Sequence, residues 1–136
     1  MKNILKTLIV ALLIISFSNE NKSNEINLYS QRHYSVDKKQ YENFEKLTGI
    51  KINVIKANAD ELIERLKNEG ENSPADLFIT VDAGKLYKAS KMNLLQKINS
   101  EKINKNISND LKDPNGFWVP ITNRARIIVY SKDRVL

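Results

Sequence analysis

Two hydrophobic periods take turns along this chain. Residues 25–29 (Glu-Ile-Asn-Leu-Tyr) alternate polar and apolar, the period of a strand. Residues 36–48 switch to helical spacing, with Val36, Gln40, Phe44 and Leu47 on one face, Ser35 where a cap is wanted and Gly49 just past the end. Residues 50–55 (Ile-Lys-Ile-Asn-Val-Ile) return to strand and are rich in β-branched side chains. Residues 58–69 predict a helix whose inner face is Ala59, Leu62, Ile63 and Leu66, ended by Gly70. Beyond Ser73-Pro74, residues 75–81 predict a third strand. It is almost continuously apolar from Leu77 to Ile79, as suits an interior parallel strand covered on both faces. A helix over 83–91, a short apolar segment at 94–98, a polar stretch with a short helix at 103–113 and a Pro114-Asn115-Gly116 turn follow. Residues 118–121 and 126–130 predict further strands around a polar corner at 122–124.

The resulting order, β-α-β-α-β-α with more strand at the end, predicts an α/β fold: a mostly parallel sheet flanked by helices and joined by right-handed crossovers. No internal repeat or low-complexity segment interrupts it. The amino end stands apart. Lys2 and Lys6 precede an apolar run at 8–17 and small residues at 16–18, which is the layout of a secretory signal peptide over 1–18. As a membrane anchor the run is short for a span. A polar leader at 19–24 separates it from the folded part, 25–136, and the protein is expected outside the cytoplasmic membrane.

Composition narrows the function. The 136 residues contain no cysteine, which excludes a disulfide scaffold and a lipid-anchored cysteine. Lysine and arginine number 22 against 16 acids, a formal net charge of +6. Without residues 1–18 the balance is 20 against 16, or +4. The basic side chains are scattered among glutamates rather than gathered in a patch, which argues against nucleic acid as a partner. No Gly-x-Ser-x-Gly, phosphate-binding glycine loop or His-Glu-x-x-His motif is present. With one histidine, the chain has little from which to build a histidine-based metal cluster or a nucleophilic dyad.

The chemistry that remains lies on loops. In a sheet ordered 2-1-3, the carboxyl ends of strands one and three flank a crevice. Residues 30–34 (Ser-Gln-Arg-His-Tyr) leave strand one, and residues 80–83 leave strand three. A third loop, 122–126, joins them by analogy only. A phenolate is a hard anionic donor of the kind a trivalent cation requires, and a nearby guanidinium favours it. Tyr34 is therefore a candidate ligand, with His33 beside it and Arg32, Arg124 or Arg126 to balance charge. Plainer roles stand alongside. Tyr34 can pack at the top of its helix, His33 can be an ordinary loop residue, and Asp82 can cap the helix that follows it. Arg124 and Arg126, two apart, can line an exposed strand face. Tyr29 reads as core or sheet surface, and Tyr41, Tyr87 and Tyr130 as packing residues.

Four strings, INLYSQRHY, FEKLTGIKINVI, ELIERLKNEGENSPADLFITVDAGKLYKA and WVPITNRARIIVYSKDRV, occur in order from about residue 26 to 135. Together they resemble the extracytoplasmic ferric-iron-binding proteins of ABC iron transporters. The resemblance implies one lobe of a type II periplasmic-binding-protein fold, in which a two-lobed cleft closes on its ligand. It implies a monomer that captures ferric iron (Fe3+) in the periplasm, delivers it to an ABC permease in the inner membrane and is not an enzyme. It makes Tyr34 a metal ligand and puts His33 at the metal. Arg124 falls in the surrounding shell, where Arg32 and Asp82 are also expected. The family runs to roughly twice this length or more, a two-domain size, and takes further tyrosine ligands, including an adjacent Tyr-Tyr pair, from its second lobe. No such pair occurs here, so the chain is expected to be a first lobe, truncated before the second. Three alternatives remain. One is the same fold holding an organic anion on Arg32 and Arg124. Another is an α/β enzyme using Asp82, and the last is a remnant that folds poorly.

Overall fold

The computed structural model describes residues 24–125 and 127–135. The signal peptide expected at 1–18, nearly all of the leader and Arg126 lie outside the described residues. Strand β1 (Glu25–Ser30) is followed by α1 (Ser35–Thr48), β2 (Lys51–Lys56), α2 (Ala59–Glu69), a 3-10 turn (Gly70–Asn72) and β3 (Leu77–Ile79). Helices α3 (Ala83–Lys91) and α4 (Glu101–Asn106) and a second 3-10 turn (Asn109–Leu111) complete the regular elements. The sheet order is β2-β1-β3. Both ladders are parallel, with Glu25 opposite Lys51 and Ser30 opposite Lys56 on one side, and Leu28 opposite Leu77 on the other. Strand β1 is thus central, and the order reverses across it; the parallel pairing is what the β-α-β-α-β pattern predicts.

The core forms where α2 crosses the sheet. Its predicted face, Ala59, Leu62, Ile63 and Leu66, is buried throughout. Leu62 and Leu66 meet the ring of Tyr29, with Ile55, Ala57, Ala75, Phe78 and Leu94 packed around them. Local chemistry sets the ends of α2. The Asn58 side chain accepts from the Glu61 N–H at 3.0 Å, satisfying one of the free donors of the first turn. Gly70, at φ 55°, takes a conformation that a side chain would strain.

Tyr29 is wholly buried and settles as core, not ligand. Its hydroxyl donates to both carboxylate oxygens of Glu69, at 2.8 and 2.9 Å. Burial and the adjacent Glu69 charge push the Tyr29 phenol above its ordinary value, so it stays protonated and donates. Burial pushes the Glu69 carboxyl up as well, but bonds from Arg65, Ser73 and Tyr29 outweigh it and hold the carboxyl below its usual range.

Helix α1 departs from expectation. Val36, Phe44 and Leu47, grouped on one predicted helix face, are exposed, Leu47 at 86 %. The half-buried positions are Asp37, Tyr41 and Glu45, at intervals of four. The reason is polar anchoring. Asp37 binds Arg32, and the Glu45 Oε1 accepts from the Ile52 N–H of β2 at 2.7 Å, which turns this face toward the sheet. Ser35 is not the cap. Tyr34 occupies that position, without a side-chain capping bond, and Ser35 is the first helical residue.

The last predicted strands also differ. Residues 118–121 and 127–130 form no ladder among the described residues. Their composition suits strand, but a strand needs an adjacent edge to satisfy its backbone. Ile128 is 98 % exposed, and Tyr130 and Tyr87, expected to pack, are exposed too. Tyr87 instead carries the Lys91 ammonium 5.3 Å from its ring centre. Strand β3 is shorter than predicted. It lies at an edge of the described sheet, leaving Leu77 half open rather than covered on both faces.

Truncating Leu62 removes a fully buried side chain from the α2–sheet contact. Leu62→Ala is expected to lower the stability of the chain by about 2–5 kcal/mol in urea denaturation, against about 1 kcal/mol for loss of the cap in Asn58→Ala.

Candidate functional site

The exits of β1 and β3 are stitched together. The Gln31 N–H donates to the Ile79 carbonyl at 2.9 Å, and the Gln31 side-chain oxygen accepts from the Val81 N–H at 3.2 Å. The Ser30 hydroxyl oxygen accepts from the Arg32 N–H at 3.1 Å, tightening the turn out of β1. Two of the three loops singled out by sequence therefore share one end of the sheet. The third reaches them as well: the Arg32 Nη1 donates to the Thr122 hydroxyl at 3.4 Å.

Arg32 is the hub. Its Nε and Nη2 donate to the two Asp37 carboxylate oxygens at 3.0 and 2.8 Å, and the side chains are only 11 % and 14 % exposed. The guanidinium carbon lies 4.9 Å from the centre of the Tyr34 ring. Magnitudes decide which partner holds it. A cation–π contact at an open site is worth about 0.5–1 kcal/mol. That is less than the ~2 kcal/mol of rotamer freedom an arginine loses when fixed. Two charge-assisted bonds at roughly 1.5–3 kcal/mol each exceed that loss. Asp37 therefore fixes Arg32, and Arg32 in turn lies against Tyr34. Sequence pattern alone does not single out Asp37, although an acid in the first turn of a predicted helix, five residues after a loop arginine, is a usable signal.

Tyr34 sits at the amino end of α1 with extended backbone (φ −77°, ψ 140°), and its carbonyl accepts from the Asp37 N–H at 3.1 Å. It is 46 % exposed, so its hydroxyl is not locked into the interior. The His33 ring stacks on it at 5.3 Å between centres and 27° between planes. His33 is exposed, with Nδ1 at 3.4 Å from the Gln31 carbonyl. The helix amino end and Arg32 place positive potential around the Tyr34 ring, a setting in which an oxygen anion on a metal is favoured.

The remaining candidates take quieter positions. The Asp82 carboxylate caps α3, accepting from the Lys85 N–H at 3.1 Å, so the plainer of its two readings is the one observed. Arg124 is exposed on the third loop, two residues past Thr122. A groove of about 630 Å3 runs along β3 from Arg32 and Asp82 to Phe117, Trp118 and Thr122, and neither His33 nor Tyr34 lines it. Among the described residues no three histidine or carboxylate side chains converge to hold a metal ion. A metal at this loop would draw on the phenol of Tyr34 and the imidazole of His33 rather than on an acidic cage. An anion, for its part, finds the two-pronged edge of Arg32 already taken by Asp37.

A parallel α/β lobe whose strand order reverses at β1, with polar loops gathered at the strand exits, is a ligand-binding architecture. Residues 23–135 match the family described as Bacterial extracellular solute-binding protein, and the chain belongs to that family. It is 46 % identical over 114 residues to iron uptake protein A1 of Synechocystis, covering 84 % of this chain and 32 % of the relative. The ferric binding protein from Campylobacter jejuni superposes with a TM-score of 0.76 at 45 % identity, over 82 % of this chain and 35 % of that one. A Trichodesmium FutA, solved in complex with iron and citrate ligands, superposes with a TM-score of 0.68 at 49 % identity, over 70 % of this chain and 30 % of that one. The chain thus spans about a third of the length of the curated relatives it matches.

The Arg32–Asp37 pair carries a pH signature. The bonds from Arg32 hold the Asp37 carboxyl below its ordinary value, against the opposing effect of burial. Because the folded value is depressed, the stabilisation is complete above the ordinary carboxylate range, near 4, and is lost as pH falls through the folded value. Asp37→Asn is expected to cost about 1–3 kcal/mol at pH 7. The difference from the parent chain should shrink toward pH 3 in parallel urea titrations.

Proposed function

We propose that this chain is the iron-facing first lobe of an exported solute-binding protein that captures ferric iron outside the cytoplasmic membrane. The protein hands its cargo to an ABC permease. The observation that carries the reading is Tyr34. A half-exposed phenol stands at the exit of the central strand beneath a fixed guanidinium, in a chain close to half identical to proteins named for iron uptake and ferric binding. In this reading Tyr34 supplies a hard oxygen donor and His33 lies at the metal, with Arg124 in the surrounding shell. Arg32 offsets the charge of the bound phenolate. The folded unit is residues 25–136, preceded by a signal peptide at 1–18, and the protein works as a monomer. Capture needs no bond making in the cargo, only donors placed in order and a positive surround that tolerates their charge. The alternative of an organic anion held on Arg32 is less well supported, because Asp37 already occupies the matching edge of the guanidinium.

Ferric nitrilotriacetate leaves coordination positions open and serves as the probe. Its addition to the chain is expected to raise a visible phenolate-to-iron charge-transfer band. Tyr34→Phe should abolish the band, and His33→Ala should weaken binding about tenfold, the equivalent of ~1.4 kcal/mol. A band that survives in Tyr34→Phe would refute the assignment.

A further inference from the structure

We infer that Asp37 is a positioning residue of the iron loop, acting on Tyr34 through Arg32. The inference rests on the iron reading for its functional consequence, but its geometry stands independently. Three nitrogens of the Arg32 guanidinium are engaged at once, two by Asp37 and one by Thr122, and the carbon between them lies 4.9 Å from the Tyr34 ring centre. One planar group thereby ties the β1 exit, the first turn of α1 and the third loop into a single unit.

Two consequences follow for iron. Asp37 fixes where the guanidinium stands, and the guanidinium limits where the Tyr34 ring can lie, so the donor oxygen is held before metal arrives. Asp37 also offsets part of the Arg32 charge at 2.8 Å, which lowers the repulsion met by an incoming trivalent cation while the guanidinium still faces the phenol. Removing the carboxylate leaves an uncompensated cation beside the ligand. Asp37 thus bears on both placement and the preference for a cation over an anion. Arg32 cannot be exchanged for lysine without loss, since an ammonium offers neither the fork nor the flat face.

Ring resonances of Tyr34, identified by their disappearance in Tyr34→Phe, report the coupling without any metal. Asp37→Asn is expected to shift them, Asp37→Glu to restore them in large part, and Arg32→Leu to shift them so that a further Asp37→Asn adds nothing. Ferric nitrilotriacetate binding should weaken about 10- to 100-fold in Asp37→Asn, the range usual for partners that orient a metal ligand. Unmoved Tyr34 resonances in Asp37→Asn would overturn the inference whatever iron does. Shifted resonances in a chain that shows no Tyr34-dependent band would refute the iron reading and leave the coupling standing. Should Asp37→Asn fail to fold, Arg32→Lys keeps the charge pair and removes the flat face. It is expected to move the same resonances while the melting transition persists, and unmoved resonances there would likewise overturn the inference.

Discussion

Strand β1 uses both of its edges, and that constraint shapes everything at the site. Paired in parallel with β2 on one side and β3 on the other, its residues have no freedom to slip. A shift of one position would take Tyr29 out of its contact with Leu62 and Leu66 and turn its hydroxyl away from Glu69. The chain must therefore leave β1 at Ser30, at the point where the strand order reverses. Residues 31–34 are delivered to the gap beside β3, where Gln31 bonds to Ile79 and Val81. The placement of the aromatic loop is thus a result of sheet pairing at one remove.

Charge then does locally what the sheet does globally. The Arg32–Asp37 pair is largely withdrawn from water, where a bidentate pair holds its geometry and is little screened by salt. It selects which face of α1 meets the sheet, in place of the apolar face at Val36, Phe44 and Leu47. A helix whose hydrophobic stripe lies open while a tyrosine and two acids turn inward is unusual. Here two specific bonds, Arg32 to Asp37 and Ile52 to Glu45, outweigh the burial that a rotated helix would gain in this chain.

The open apolar surface has a pattern. It comprises the outer face of α1, the free edge of β3 and the extended run 127–130. Each is chemically suited to burial, and none finds a surface to cover it among the described residues. The chain matches about a third of the length of its curated relatives, so these surfaces are the ones to watch wherever more of such a protein is present.

Much of this was legible in the residue pattern. The α/β alternation, the buried face of α2 and its Asn58 and Gly70 ends depend on local periodicity and capping, which act over a few residues and need no distant partner. The same holds for Asp82 as a helix cap and for the HisTyr pair at a strand exit. Other features were decided by contacts across the fold. Tyr29 is core because Glu69, forty positions on, receives its hydroxyl. The face of α1 follows from Arg32 and Ile52, and Thr122 reaches Arg32 across ninety positions. The segments at 118–121 and 127–130 have strand composition but no ladder among the described residues, because strand pairing belongs to two segments at once and cannot be written in either alone. Sequence determined where the helices and the three paired strands lie and which donors they carry. Tertiary structure determined which of those donors meet, since long-range contacts depend on how faces and edges are shared.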